Sequence, residues 1–220
     1  MSVLSRIFRR SEMPVEHDGN GQPFSGKRIS RYSSGWSKAR ARLKAQEGLS
    51  ILDIGPTSHS NINYLTSLGH SVFMADLVEE STRPEWLKQS TDGSPDVYDV
   101  EAFIEKHMNF GHRMFHVILL WDALDYMPGP FVDAVVRRLH ASMVEEGEML
   151  GLFHARARGQ GMAFCRYHIT DGENVEMQEC ASYPLLHVYP NRTIEKMFAG
   201  FRSCRFFLAK DNLCEVIVVR

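Results

Sequence analysis

The sequence predicts an α/β protein: a doubly wound, mostly parallel sheet closed by an antiparallel hairpin. Three observations carry this expectation. From Trp36 onward, short apolar runs alternate with amphipathic helical stretches, the rhythm of right-handed strand–helix–strand units. The run FHVILLWD, residues 115–122, is the unbroken apolar kind that a strand buried on both faces shows. Near the end, FRSCRFFLA and LCEVIVVR are separated only by Lys210-Asp211-Asn212, a turn short enough to force an antiparallel pair. With 220 residues, 44% hydrophobic and 24% charged, the chain can bury a core and has the composition of a soluble globular protein.

The elements follow in order. WSKARARLKAQEG reads as a helix ended by Gly48. SILDIG is a strand, and NINYLTSLG is a helix with Ile62, Leu65 and Leu68 three apart on one face. HSVFMAD is the next strand, DVYDV a weaker one, and EAFIEKHM is helical. After Pro128-Gly129-Pro130 comes a helix with Phe131, Val135, Leu139 and Met143 at steps of four, stopped by Gly147. GEMLGLFHA is another strand. FCRYHI and VEMQE flank Asp171-Gly172-Glu173-Asn174 as a hairpin, spanning 164–179. A further helix places Ile194, Met197 and Phe198 on one face, with Asn191 or Thr193 as its cap. No internal repeat is present.

Composition narrows the class. Residues 1–50 hold ten Lys/Arg and four Asp/Glu, so a chain with a net charge of −2 has a basic start. In residues 1–10, Val3, Leu4, Ile7 and Phe8 share a helical face opposite Arg6, Arg9 and Arg10, a pattern suited to weak contact with a membrane or another anionic surface. The Gly-, Pro- and polar-rich stretch that follows reads as linker, so residues 1–35 are expected to be a flexible leader to a domain over 36–220. The longest apolar run, Val117–Trp121, is far short of the roughly 20 residues that span a bilayer. Cys165, Cys180, Cys204 and Cys214 form no metal-ligand spacing, which fits free thiols in a reducing cytoplasm. His112 and His116 are four apart, but His116 opens the most apolar strand and no third ligand is near, so no metal is expected. Nothing gives a strong nucleic-acid signal.

The chemistry concentrates after the first strand, where open α/β sheets bind ligands at the carboxyl ends of their strands. That strand ends Asp53-Ile54-Gly55-Pro56-Thr57-Ser58-His59, and the second ends at Asp76, 23 residues beyond Asp53. A carboxylate there accepts both hydroxyl protons of a ribose, and Gly55 lets a ligand approach the backbone.

With Asp-x-Gly after the first strand, an acid about 23 residues on, the strand FHVILLWDALDYMP and the terminal hairpin, residues 36–220 resemble class I S-adenosylmethionine-dependent methyltransferases. DIGPTSHSNINYLTSLGHSVFMADL is similar to a bacterial branch with Gly-Pro-x-Ser in this loop. The resemblance implies a Rossmann-like, seven-stranded sheet, S-adenosylmethionine as cofactor and a small-molecule acceptor. It also implies roles: Gly55 and Thr57 in the loop beside the methionine part, with Asp53 supporting it, and Asp76 on the ribose with Leu77 flanking the adenine. Asp99 and Val100 would contact the adenine, and Trp121 would face the cofactor and the substrate cavity. Where the family usually has two further loop glycines, this chain has Thr57 and His59, and Pro56 removes an N–H. Ser58, Ser60 and Asn61 are the residues that would replace the lost hydrogen bonds.

Candidates for a catalytic base are Asp122 and Asp125, at the end of the fourth strand, with helix capping as the alternative for Asp125. The stretch WDALDYMP lacks the Asn/Asp-Pro-Pro-Tyr motif of amino methyltransferases acting on nucleic acid, which points away from DNA bases. Two other readings remain: a methyltransferase-like scaffold without turnover, and an NAD-type Rossmann oxidoreductase. The latter wants glycines at 55, 57 and 60 and finds Gly, Thr and Ser. RARGQG, residues 156–161, resembles a phosphate cradle but has no following Lys, and reads as a loop.

Overall fold

A computed structural model describes residues 26–89, 96–156, 164–207 and 211–220. In chain order its elements are β1 (Ile29–Tyr32), α1 (Ser34–Ala45), β2 (Ser50–Ile54), α2 (His59–Ser67), β3 (Ser71–Ala75) and α3 (Leu77–Ser81). A 3₁₀ turn (Pro84–Trp86), β4 (Leu87–Lys88), β5 (Val97–Tyr98), α4 (Val100–His107) and β6 (Phe115–Trp121) follow. Then come α5 (Ala123–Tyr126), α6 (Gly129–Ala141), β7 (Met143–His154), β8 (Phe164–Ile169) and β9 (Asn174–Ala181). α7 (Asn191–Met197), β10 (Ser203–Phe207) and β11 (Leu213–Val219) complete the chain.

The main sheet has the order β10-β11-β7-β6-β2-β3. β7, β6, β2 and β3 are parallel, and β11 and β10 close the sheet antiparallel. The apolar run of β6 lies in its middle because both of its faces are covered. Trp36, Leu43 and Leu65 of α1 and α2 pack on one face, together with Tyr167 and Val175. Phe103, Phe131, Leu139 and Ile194 of α4, α6 and α7 pack on the other. This is the doubly wound, Rossmann-like architecture.

The sheet has six strands among the described residues, not seven. Val97–Tyr98 pairs with Leu87–Lys88 in a separate ribbon. Only Tyr98 of that run is anchored, edge-on to Phe131, while Val97 is exposed, so the run buries too little to extend the sheet beyond β3. Helix α6 stops at Ala141, where Ser142 N–H caps it on Arg138 and Leu139 oxygens, rather than running to Gly147. Met143 is instead the first residue of β7, paired with Phe115. α7 starts after Pro190 and has no side-chain cap from Asn191 or Thr193.

Part of the stretch expected to be a flexible leader, Ile29–Tyr32, is a strand. Ile29–Tyr32 pairs antiparallel with β9, making a second sheet of order β1-β9-β8, and Ser33 caps α1 by accepting Trp36 N–H. Residues 1–25, which include the amphipathic stretch, lie outside the described residues, as do 157–161 of RARGQG. The second sheet is tied to the first by Arg31, which is buried and pairs with Glu215 and Asp211 and donates to Leu213 O at 3.2 Å. Glu215 also accepts Gly35 N–H at 2.6 Å, and a Cβ on Gly35 would collide with Leu150. The hairpin turn is held by Trp36 Nε1, which donates to Thr170 and Gly172 oxygens.

Removing one partner of a buried ion pair strands the other charge. Arg31→Ala is therefore expected to cost about 3–5 kcal/mol in urea unfolding, with much of the loss recovered in Arg31→Met/Glu215→Leu.

Candidate functional site

Strand β2 has β3 on one side and β6 on the other, so successive crossovers leave in opposite directions at its carboxyl end. The crevice at this reversal is bounded by Ile54, Gly55 and Pro56, by Trp121, Asp122 and Ala123, and by Phe164, Cys165 and Tyr167 of β8. About 230 Å³ of non-atom space lies there, none of it wide enough for a water molecule.

Trp121 is the reason. Its φ is +49°, an unfavourable conformation for a bulky residue and one of those that cluster at functional sites. The indole lies over Gly55, with Cδ1 3.7 Å from where a Cβ would stand, and stacks on Tyr167 with ring centroids 4.8 Å apart. Its Nε1 donates to Asp53 Oδ1 at 2.6 Å. Asp53 Oδ2 accepts from Asn61 Nδ2 at 2.8 Å, so both carboxylate oxygens are engaged inside the protein. Burial pushes Asp53 up to about 6 against the pull of these two donors.

Ser58, Ser60 and Asn61 spend hydrogen bonds on the hairpin. Asn61 donates to Tyr167 O and accepts from Ile169 N, at 2.9 and 2.8 Å. Ser58 caps α2 through Asn61 N–H, and both serine hydroxyls lie within 3.0 Å of His168 Nδ1. His168 Nε2 faces Gln178 Oε1 at 2.9 Å. The hairpin is thereby pinned over the first loop.

A second acidic group lies behind Trp121. Asp125 Oδ2 accepts both the backbone N–H of His154, at 2.6 Å, and its Nδ1, at 2.9 Å. This is a positional role at the end of β7, not the capping of a helix. Across the imidazole, His154 Nε2 is 4.0 Å from Asp122 Oδ2, which accepts Tyr167 O–H at 2.9 Å. Asp122 Oδ1, Asp125 Oδ1 and Tyr126 O–H are buried without a hydrogen-bond partner. Burial first, and Asp125 as a like charge, push Asp122 up to about 7, while His154 and the Tyr167 bond pull it down. Burial also raises Asp125.

The remaining expected residues scatter. Asp76 ends β3 beside the crevice: Gly55, with φ +154°, donates its N–H to the oxygen of the preceding Ala75 at 2.9 Å. Asp76 caps α3 by accepting Glu79 N–H at 3.1 Å, and burial, reinforced by Glu79 and Glu80, pushes it up to about 6. Leu77 is buried in the core, leaving it no face for an adenine ring. Thr57 is exposed. Asp99 caps α4 through Ala102 N–H and pairs with Lys88 at 2.6 Å, and Val100 lines a separate groove between α4 and α6. His116 accepts Ser50 N–H. Sequence reading missed His154 and Tyr167. His154 carried the signal that marked Asp122, a polar side chain closing an apolar strand; Tyr167 carried none.

The fold and crevice define a doubly wound α/β protein with a ligand-type switch point. No family model matches the sequence, and no curated protein matches it. The structure is similar to 1,6-didemethyltoxoflavin-N1-methyltransferase of Burkholderia thailandensis, which was solved with S-adenosylhomocysteine bound. The identity is 16%, the match covers 84% of this chain and 76% of that one, and the TM-score is 0.43. It is similar to magnesium protoporphyrin IX methyltransferase of Synechocystis, solved with SAM, at 15% identity, 84% and 77% coverage and a TM-score of 0.45. It is also similar to TehB from Haemophilus influenzae, at 14% identity and a TM-score of 0.47, covering 84% of this chain and 62% of TehB. These likenesses are of fold, and carry no residue role to this chain.

A carboxyl group raised on folding stabilises below its unfolded value of 3.8, and that contribution is lost as pH rises through about 7. Asp122→Asn is therefore expected to gain stability relative to the unchanged chain between pH 5 and pH 8, read by urea unfolding at both.

Proposed function

We propose that this chain is a methyltransferase that takes a methyl group from S-adenosylmethionine and passes it to a small-molecule acceptor beside the β8–β9 hairpin. The observation that carries the reading is Asp76, a half-buried carboxylate at the tip of β3, next to the Gly55 turn and at the reversal of strand order. The cofactor supplies a methyl group already activated on a sulfonium. Its ribose suits Asp76, which would accept the two hydroxyl protons.

Its amino-acid half does not fit the crevice as described, because the Trp121 ring covers Gly55 and no water-sized space remains. Entry of that half requires the Trp121–Tyr167 stack to part. What the chain's own residues supply is acid–base chemistry and water exclusion. Asp125 orients the His154 imidazole through Nδ1, and Asp122, which lines the crevice, keeps one buried oxygen without a hydrogen-bond partner. The filled crevice favours a second reading, a scaffold with the same fold and no turnover.

Calorimetric titration with S-adenosylmethionine and S-adenosylhomocysteine tests the choice. Binding is expected to weaken about tenfold or more in Asp76→Ala, equivalent to at least ~1.4 kcal/mol, and to tighten in Trp121→Ala. No heat from either ligand at millimolar concentration, in the unchanged chain and in Trp121→Ala alike, would leave the scaffold reading alone.

A further inference from the structure

Helices α4 and α6 lie side by side and run in the same direction. The ring of Phe103 is 4.4 Å from that of Phe131, and further along both helices Arg138 Nε donates to Met108 O at 2.9 Å. Between them is an open groove of about 460 Å³. Its apolar lining includes Val100, Ile104 and Ala134, all half-buried. The charges on its walls are sorted by sign, Glu101 and Glu105 on α4 against Arg137 and Arg138 on α6. Arg138 is anchored, by Met108 O and over the Phe110 ring. Glu101, Glu105 and Arg137 are exposed, and among the described residues none of the three is in an ion pair. The two glutamates are four positions apart on one helix, a like-charge spacing that destabilises it unless opposite charge arrives from outside.

A groove with one acidic and one basic wall is complementary to a second copy of itself. We propose that it is the interface of a homodimer, in which two copies of this chain face each other across α4 and α6. The charges select the symmetry. A two-fold axis along the groove sets α4 of each copy over α6 of the other, acid against base. An axis across the groove would set like walls together. The first arrangement packs four helices in a square, with Val100, Ile104 and Ala134 of both copies at its centre. That apolar centre is small and the wall charges are exposed, so the association is weak and sensitive to salt. The groove shares no lining residue with the crevice at Gly55, and the dimer stands apart from the methyl-transfer reading.

Analytical ultracentrifugation of the full chain, from micromolar to near-millimolar concentration, tests this. A monomer–dimer equilibrium is expected, about tenfold tighter at ~0.05 M salt than at ~0.5 M. This series uses the unchanged chain, so it decides the matter whether or not a variant folds. Glu101→Lys/Glu105→Lys makes both walls basic, and Arg137→Glu turns the other wall toward acid. Each alone is expected to weaken the dimer about tenfold or more, with folding checked by circular dichroism. Mixing the two variants should restore association. In the mixed pair, the original glutamates of one copy meet Arg137 and Arg138 of the other, and the introduced lysines meet the introduced acid. A chain that stays monomeric at every concentration in low salt overturns the proposal. So does a dimer indifferent to salt, a dimer that neither variant weakens, or weakened variants that fail to pair when mixed.

Discussion

One side-chain amide organises this molecule's ligand face. Asn61 is almost fully buried and spends its donors and acceptor on three residues of two strands: Asp53 in β2, and the backbone of Tyr167 and Ile169 in β8. A buried amide left half-satisfied is costly, so strand, loop and hairpin hold one another in a single arrangement. The start of α2 grips the hairpin, with the hydroxyls of Ser58 and Ser60 both within 3.0 Å of His168 Nδ1.

That grip decides the electrostatics. With β8 clamped down, Asp53, Asp122, Asp125 and His154 lie in a space from which water is excluded. Carboxylates there are dearer to ionise, and each hydrogen bond counts for more than it would at the surface. Of these acids, Asp53 is matched on both oxygens, by Trp121 and Asn61. Asp125 and Asp122 are each matched on one oxygen only, Asp125 Oδ2 by two donors of His154 and Asp122 Oδ2 by Tyr167.

The parallel core was legible because its signals are local. An apolar run covered on both faces announces β6, and helical spacing announces α2 and α6. The hairpin 164–179 and the terminal pair declared themselves by turn residues. Boundaries failed where two periodicities overlap: Met143 satisfies both the stripe of α6 and the first rung of β7, and backbone pairing with Phe115 wins. The seventh strand failed because a two-residue run holding one anchored ring cannot keep a place on an edge. In the site, Asp53, Gly55, Asp76, Trp121 and Asp122 come together as strand-end residues should. Leu77, Asp99 and Thr57 do not, since the core, Lys88 and solvent claim them instead. The stack of Tyr167 on Trp121 was beyond reach, because it depends on how a hairpin folds back over a strand end far earlier in the chain.

The buried link between Arg31 and Glu215 joins residues 184 positions apart, and β1 finds its partner in β9 rather than in any neighbouring segment. On the ribosome β1 can therefore take its partners only after β9 and β11 have been made, and its guanidinium stays hydrated until then. A nascent chain halted short of β11 would hold the parallel strands β7, β6, β2 and β3 but no Glu215 to neutralise Arg31.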